Sequence, residues 1–229
     1  MTADMPDMKI IARVHSDFHG KFGIPRQSGL VDTRAYIVFE PEYRDPEALR
    51  YIEGYSHLWI IWLFSLTASA GWSSTVRPPR LGGNRRVGVF ASRSPFRPNP
   101  IGLSSVRLER VEHDVKYGPV LHIVGADMAD GSPVLDIKPY LSYTDSHPDA
   151  ECGFADAARS RLKVVCPDEL MVRLPERLRE SLPDILSCDP RPAYVGDESR
   201  IFGFEYGGYE IKFRVKEGVL TVEEITERV

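Results

Sequence analysis

Residues 103–137 read LSSVRLERVEHDVKYGPVLHIVGADMADGSPVLDI. They contain three strand-like runs, Leu103–Val111, Val120–Gly125 and Val134–Ile137, separated by turn-forming stretches rich in Gly and Asp. Val106, Leu108 and Val111 in one run, and Val120 and His122 in the next, alternate as half-buried strands do. No helix-length periodic segment separates the runs. Parallel neighbours would need a crossover of a dozen or more residues, usually a helix, so these strands pair antiparallel. The fold expected is therefore mainly β: a mostly antiparallel sheet, closed or strongly curled into a barrel.

Outward from this stretch, His57–Ser65 reads as a nearly continuous apolar strand, expected to be buried on both faces. Lys9–Val14, Ala35–Phe39 and Arg86–Ala91 read as further strands. Asp45 followed by Pro46 places an N-cap and a first-turn proline, starting a short helix to about Ile52. After Glu151 the character changes. Ala155–Val165 and Asp168–Leu186 look helical, with Leu174, Leu178, Leu182 and Leu186 four apart and Pro175 and Pro183 as turn starts or kinks. Tyr209–Val215 and Val219–Ile225, joined by Lys216-Glu-Gly218, form a hairpin. The organisation expected is a β-barrel domain over 1–150 and a small α+β domain over 160–229. No strand leads into a G-x-G-x-x-G turn, so no Rossmann-type cofactor site is visible.

With 229 residues, 42% of them hydrophobic, the chain can bury a proper core. Its longest apolar run, His57–Leu66, is roughly half of what a membrane span needs. The first residues lack the basic and apolar regions of a secretory signal. Cys152, Cys166 and Cys188 match no disulfide or metal-ligand spacing, which favours reduced thiols. A soluble, cytoplasmic protein without a structural metal is expected.

The formal charge of −4 is unevenly distributed. Between Glu53 and Glu109 there is no Asp, Glu or Lys, but there are seven arginines: Arg77, Arg80, Arg85, Arg86, Arg93, Arg97 and Arg107. Excluding carboxylates from a loop-rich surface suits the binding of anions. Arginine in place of lysine favours bidentate contacts to phosphate or carboxylate, and stacking on bases.

Four stiff segments accompany this surface. Ser92–Gly102 carries three prolines and displays Arg93, Arg97 and Asn99. Pro25–Gly29 displays an Arg and a Gln. Asp189-Pro-Arg-Pro-Ala-Tyr194 offers Arg191 and Tyr194 for phosphate contact or base stacking. Asp127–Tyr140 gathers the acids missing earlier; Asp130 fits a turn, whereas Asp136 interrupts an apolar strand and must face water or hold a partner. Rigid loops order ligand contacts in advance and lower the entropic cost of binding. Trp59, Trp62 and Phe64 read as core. No nucleophile elbow, P-loop or zinc-protease motif is present.

Six segments occur in order: Phe22-Gly-Ile-Pro-Arg-Gln27, Tyr55-Ser-His-Leu-Trp59, Val76-Arg-Pro-Pro-Arg-Leu-Gly-Gly-Asn84, Gly88–Gly102, Leu135-Asp-Ile-Lys-Pro-Tyr140 and Asp189–Tyr194. Together they resemble the TrmO family of tRNA adenosine N6-methyltransferases, over about residues 9 to 225. The resemblance implies a non-Rossmann β-barrel that binds S-adenosylmethionine, a homodimer, and methylation of N6 of threonylcarbamoyl-adenosine beside the anticodon of a threonine tRNA. It implies cofactor contacts at Arg26, Gln27, Ser28, Phe64, Ser65, Arg93, Leu103, Ala126, Asp127 and Met128. The cofactor carries one carboxylate and two positive centres, so seven arginines exceed its needs. Arg77, Arg80, Arg85 and Arg86, with Arg97, Asn99, Lys138, Arg191 and Tyr194, are the expected tRNA contacts. Methyl transfer needs no metal but does need an acceptor for the N6 proton; Asp136 and Tyr140, with Asp130 behind them, are the candidates. Two other readings fit the arginines: a non-catalytic RNA-binding module, and a methyltransferase for a small anionic metabolite.

Overall fold

The structure, a computed structural model, describes residues 7–82, 84–155, 161–191 and 197–228. Eight strands occupy its first part: β1 (Ala12–Ser16), β2 (Arg34–Phe39), β3 (His57–Leu63), β4 (Thr75–Val76), β5 (Val87–Gly88), β6 (Ile101–Asp114), β7 (Gly118–Val124) and β8 (Pro133–Pro139). Six of them close a barrel in the order β1-β2-β7-β6-β3-β8, every pair antiparallel. The short connection between β6 and β7 leaves that pair no other sense, while β8, expected to follow as a neighbour, passes β7 and pairs instead with β3 and β1. Closure also removes the exposed edges that an open sheet would present.

The interior is filled by inward-facing residues of all six strands. Val14, Ile37, Leu58, Ile60, Leu121, Ile123 and Val134 are fully buried there. Each such side chain contributes about 1.5–3 kcal/mol from burial alone. β3 shows strand alternation, not two buried faces: Leu58, Ile60 and Trp62 point inward, while Trp59, Ile61 and Leu63 are half-buried on the outside. The expected helix after Asp45 is shorter than its sequence suggested. Asp45 caps a single 3-10 turn, Pro46–Leu49, and a second turn follows at Ile52–Gly54. Arg86–Ala91 gives only the two-residue β5 and a 3-10 turn, because β5 pairs with the equally short β4 outside the barrel.

β8 contains a β-bulge. Ile61 pairs with Asp136 but Trp62 pairs with Val134, so Leu135 is an extra residue in β8. An uninterrupted alternation would put Asp136 on the same inner face as Val134. The bulge turns it outward, beside Ile61.

A one-turn helix, α1 (Ser142–Asp145), follows β8, and the second part carries β9 (Lys163–Val165), three further short helices and β10 (Phe202–Tyr206), β11 (Tyr209–Lys216) and β12 (Val219–Glu227). The sheet order is β10-β11-β12-β9, with β9 parallel to β12. The expected hairpin is present: Glu217 and Gly218, both at positive φ, form its two-residue turn. The long helix expected over Asp168–Leu186 is divided at its prolines into α2 (Asp168–Met171), α3 (Glu176–Arg179) and α4 (Leu182–Ser187), Pro175 preceding α3. Leu174, Leu178, Leu182 and Leu186 nevertheless share one core with Phe204, Ile211, Phe213 and Leu220. The expected helix over Ala155–Val165 ends instead in strand β9, while residues 156–160 lie outside the described residues. β-branched Val164 and Val165 are suited to that strand.

The β1–β2 connection joins the two parts. Its Phe18 and Val31 are buried in the core of the second part, not in the barrel. Arg177 pairs with Asp17 at 2.6 Å, Arg34 with Glu180 at 2.7 Å, and Arg161 donates to the Leu30 carbonyl at 2.8 Å.

Candidate active site

Loops gathered where β3 ends and β6 and β8 begin enclose a cleft of about 530 Å³, within the range of small-molecule sites. Its deepest feature depends on one glycine. Gly102 of β6 lies opposite Trp62 of β3, and a Cβ there would stand 2.6 Å from the indole Nε1 and 2.7 Å from Cζ2. Glycine therefore leaves the space in which the indole lies, tilted against Phe64 with ring centroids 4.3 Å apart.

From that position the Trp62 Nε1–H donates to Ser104 Oγ at 2.9 Å, and the Ser104 hydroxyl donates to Asp127 Oδ1 at 2.5 Å. Ser104 is 1% exposed, so water does not compete at the centre of the relay. Burial pushes the Asp127 carboxyl above its ordinary range. The Ser104 hydroxyl, the backbone N–H groups of Asp127 and Ser28, and the nearby Arg93 charge offset this only in part. A carboxylate held in this way is stabilised further by any cation that enters the cleft.

Arg93 Nη1 donates to Gln27 Oε1 at 2.5 Å, and Arg26 and Gln27 line the cleft with Pro25. Arg93 comes from the loop before β6, while Arg26 and Gln27 come from the β1–β2 loop. Arg97 stiffens the former loop from within, donating to the carbonyls of Val89 at 3.1 Å and Ser92 at 2.7 Å. Phe64, Leu103 and Ile101 add apolar surface to the lining. The cleft can thus hold a flat apolar group together with both a cation and an anion.

The chain matches the tRNA-methyltransferase O N-terminal domain over residues 13–146 and the TrmO C-terminal domain over 151–228. It belongs to the tRNA-methyltransferase O family. It is 45% identical over 172 residues to a tRNA (adenine(37)-N6)-methyltransferase of Eikenella corrodens, covering 75% of this chain and 97% of that one. Identity to the protein of the same name from Escherichia coli K12 is 40% over 215 residues, 90% of this chain and 91% of the relative. A crystal structure of TrmO from Pseudomonas aeruginosa superposes with a TM-score of 0.79 at 31% identity, covering 98% of both chains.

Within this TrmO-family fold, seven of the residues expected at the cofactor line the cleft: Arg26, Gln27, Phe64, Ser65, Arg93, Leu103 and Asp127. Ser28 reaches Asp127 through its backbone N–H. Ala126 and Met128 are buried in the barrel core; their carbonyls accept from Thr33 at 2.7 Å and Ser16 at 2.9 Å. Trp62 and Ser104, the centre of the relay, escape sequence reasoning. Trp62 reads as ordinary core, and pairing across strands is invisible in a single sequence.

The three expected proton acceptors are not brought together, and none lines the cleft. Asp136 is on the outer face and pairs with Lys138 at 2.8 Å. Asp130 faces His15 at 3.4 Å and His19 at 3.7 Å. Tyr140 packs on Trp59, a cleft residue, with centroids 5.6 Å apart.

Among the described residues Arg77, Arg85 and Arg86 are exposed and form no ion pair; Arg86 donates to Thr75 Oγ1 at 2.7 Å. Asn99 is exposed too. Arg97 faces its own loop, Lys138 faces Asp136, and Arg191 faces Asp189. Tyr194 and the Arg80 side chain lie outside the described residues.

Proposed function

We propose that this chain transfers a methyl group from S-adenosylmethionine to N6 of a tRNA adenosine, the threonylcarbamoyl-adenosine beside the anticodon of threonine tRNA. The observation that carries the reading is the cleft's charge arrangement. One desolvated carboxylate, Asp127, shares the cleft with Arg26, Arg93 and an aromatic and apolar surface. That set fits a zwitterion with additional positive charge and a flat base.

The cofactor supplies an electrophilic methyl group carried on a sulfonium. Asp127, oriented by Ser104, would face its cationic centres, and Arg26 and Arg93 its carboxylate. Trp62, Phe64 and Leu103 would pack against its base and keep water away. The exposed Arg77, Arg85 and Arg86 would meet tRNA phosphates. Much of the rate gain comes from holding the acceptor in line. The N6 nitrogen must also lose a proton. Asp136, Tyr140 and Asp130 remain the proposed acceptors, and Tyr140 is the one in contact with a cleft residue.

Further elements of the reading are a homodimer and a cytoplasmic location. Exposed Trp72 and Phe90 beside the arginine-rich loops offer apolar surface for a second copy. The deciding experiment is transfer of a labelled methyl group to bulk tRNA from a strain lacking the enzyme, followed by nucleoside analysis. Label in the N6-methylated threonylcarbamoyl nucleoside supports the reading; no label in tRNA defeats it. Single-turnover methylation by Asp136→Asn and Tyr140→Phe assigns the proton acceptor, and unchanged turnover removes the residue tested.

A further inference from the structure

The sequence presents Arg191 as an exposed arginine suited to phosphate. The structure gives it other partners. Its Nε and Nη2 grip the two carboxylate oxygens of Asp189 at 2.8 and 3.0 Å, and its backbone N–H adds a third bond at 3.3 Å. The two side chains are only 18% and 23% exposed. Burial works against ionising Asp189, but the bonds and charge of Arg191, with the charge of Arg26, hold its carboxyl below the ordinary range. A phosphate would have to displace a carboxylate already bound bidentately.

This pair sits at the end of α4, where Asp189 adopts a left-handed φ of 55° and closes the helix by donating to the Leu186 carbonyl. The resulting turn directs two backbone carbonyls toward the barrel. Arg26 Nη2 donates to the Arg191 carbonyl at 3.0 Å and approaches the Asp189 carbonyl at 3.5 Å. The adjacent Gln27 receives Arg93, and Arg93 acts on Asp127. An unbroken series of contacts therefore runs from the Asp189–Arg191 pair in the second part to the cleft.

We infer that Asp189 and Arg191 are positioning residues for the cofactor cleft: their pair fixes the carbonyls that hold Arg26, and through Gln27 it sets Arg93. The inference rests on the proposed cofactor reading. It gives the second part of the chain a role in binding the small molecule, separate from any contact with tRNA.

The test is calorimetric titration of the full chain with S-adenosylmethionine, without tRNA. Arg191→Ala is expected to weaken binding roughly tenfold, the size of one charge-assisted hydrogen bond lost. Asp189→Asn, which tolerates left-handed φ and keeps one acceptor, should lose less. Arg26→Ala should lose at least as much as Arg191→Ala, and the double variant no more than Arg26→Ala alone. If Arg191→Ala unfolds, the same comparison is made with Asp189→Asn alone and on the Arg26→Ala background.

Unchanged cofactor affinity in Arg191→Ala together with weakened tRNA binding would make Arg191 an RNA contact and overturn the inference. Independent, multiplying losses in Arg26→Ala/Arg191→Ala would overturn it as well. No binding by the wild-type chain would overturn the cofactor reading itself, an outcome distinct from either.

Discussion

Gly102→Ala is the smallest change that tests how the cleft is built. Gly102 has no positive φ, so alanine costs nothing in backbone strain, and in a strand it would by itself be favourable by about 0.5–1 kcal/mol. The cost arises from contact: the new Cβ would stand 2.6 Å from Trp62 Nε1 and 2.7 Å from Cζ2. The indole is rigid and 5% exposed, held between β3 and Phe64, so it must rotate or β6 must move. Overpacking of this kind costs about 1–3 kcal/mol, and losing the indole bond to Ser104 adds about 1. The net loss expected is about 1–3.5 kcal/mol, or roughly 2–14 °C in Tm for a chain of this size. Thermal unfolding with and without S-adenosylmethionine reads both stability and binding. Cofactor affinity should fall about tenfold or more, because Ser104 no longer orients Asp127. Trp62→Phe, which removes the crowded atoms, should make the two substitutions less than additive. A Gly102→Ala chain that melts and binds as wild type would refute the relay as the basis of the cleft.

Asp127→Asn keeps the shape of the cleft but removes its negative charge. Affinity for S-adenosylmethionine should fall at least tenfold by calorimetry, while Tm stays level or rises, since the fold disfavours the charged carboxyl. Arg85→Ala should reduce the salt slope of tRNA binding by about one, with cofactor affinity unchanged; an equal loss of both would contradict the division of the arginines. Tyr206 is buried against Ser181 at 2.6 Å, and burial pushes its phenol up to about 12. The unfolded chain ionises this group first, so its stabilisation is complete below pH 10 and is lost as pH rises toward 12, by roughly 2–3 kcal/mol. Tyr206→Phe should lack that component when the two melting curves are compared from pH 8 to 11.

How much of this could be read from the sequence differs by element. The antiparallel barrel was legible because strands follow one another without a helical spacer, which fixes the sense of the β6–β7 pair; that β8 leaves β7 for β3 and β1 was not. The second part was less so: a leucine every four residues identifies a buried set, but it does not require one continuous helix. Pro175 and Pro183 divide the segment while the same leucines still meet in one core. The orientation of Asp136 was illegible for a related reason. Its place in an apolar strand left two options, water or a partner; the extra residue at Leu135 turns it outward, to water and Lys138. A single-residue bulge is a matter of register, and register is set between strands.

The absence of acids from residues 54–108 acquires a more specific meaning from the topology. Asp127 is nineteen positions beyond that segment in sequence, yet it touches Ser104 within it because β6 and the β7–β8 loop meet at the cleft. The segment therefore supplies Arg93, Arg97, the aromatic rings and the hydroxyl, while Arg26 and the one carboxylate among the described lining residues come from elsewhere. An acid within the arginine-rich loops would have paired with Arg93, or with the exposed Arg77 or Arg85, and cancelled the field there. Placing the carboxylate on the separate β7–β8 loop, half-buried behind the Ser104 hydroxyl, keeps it out of the arginine-rich loops. Opposite charges can then coexist in one cleft without neutralising each other, as a ligand carrying both signs requires.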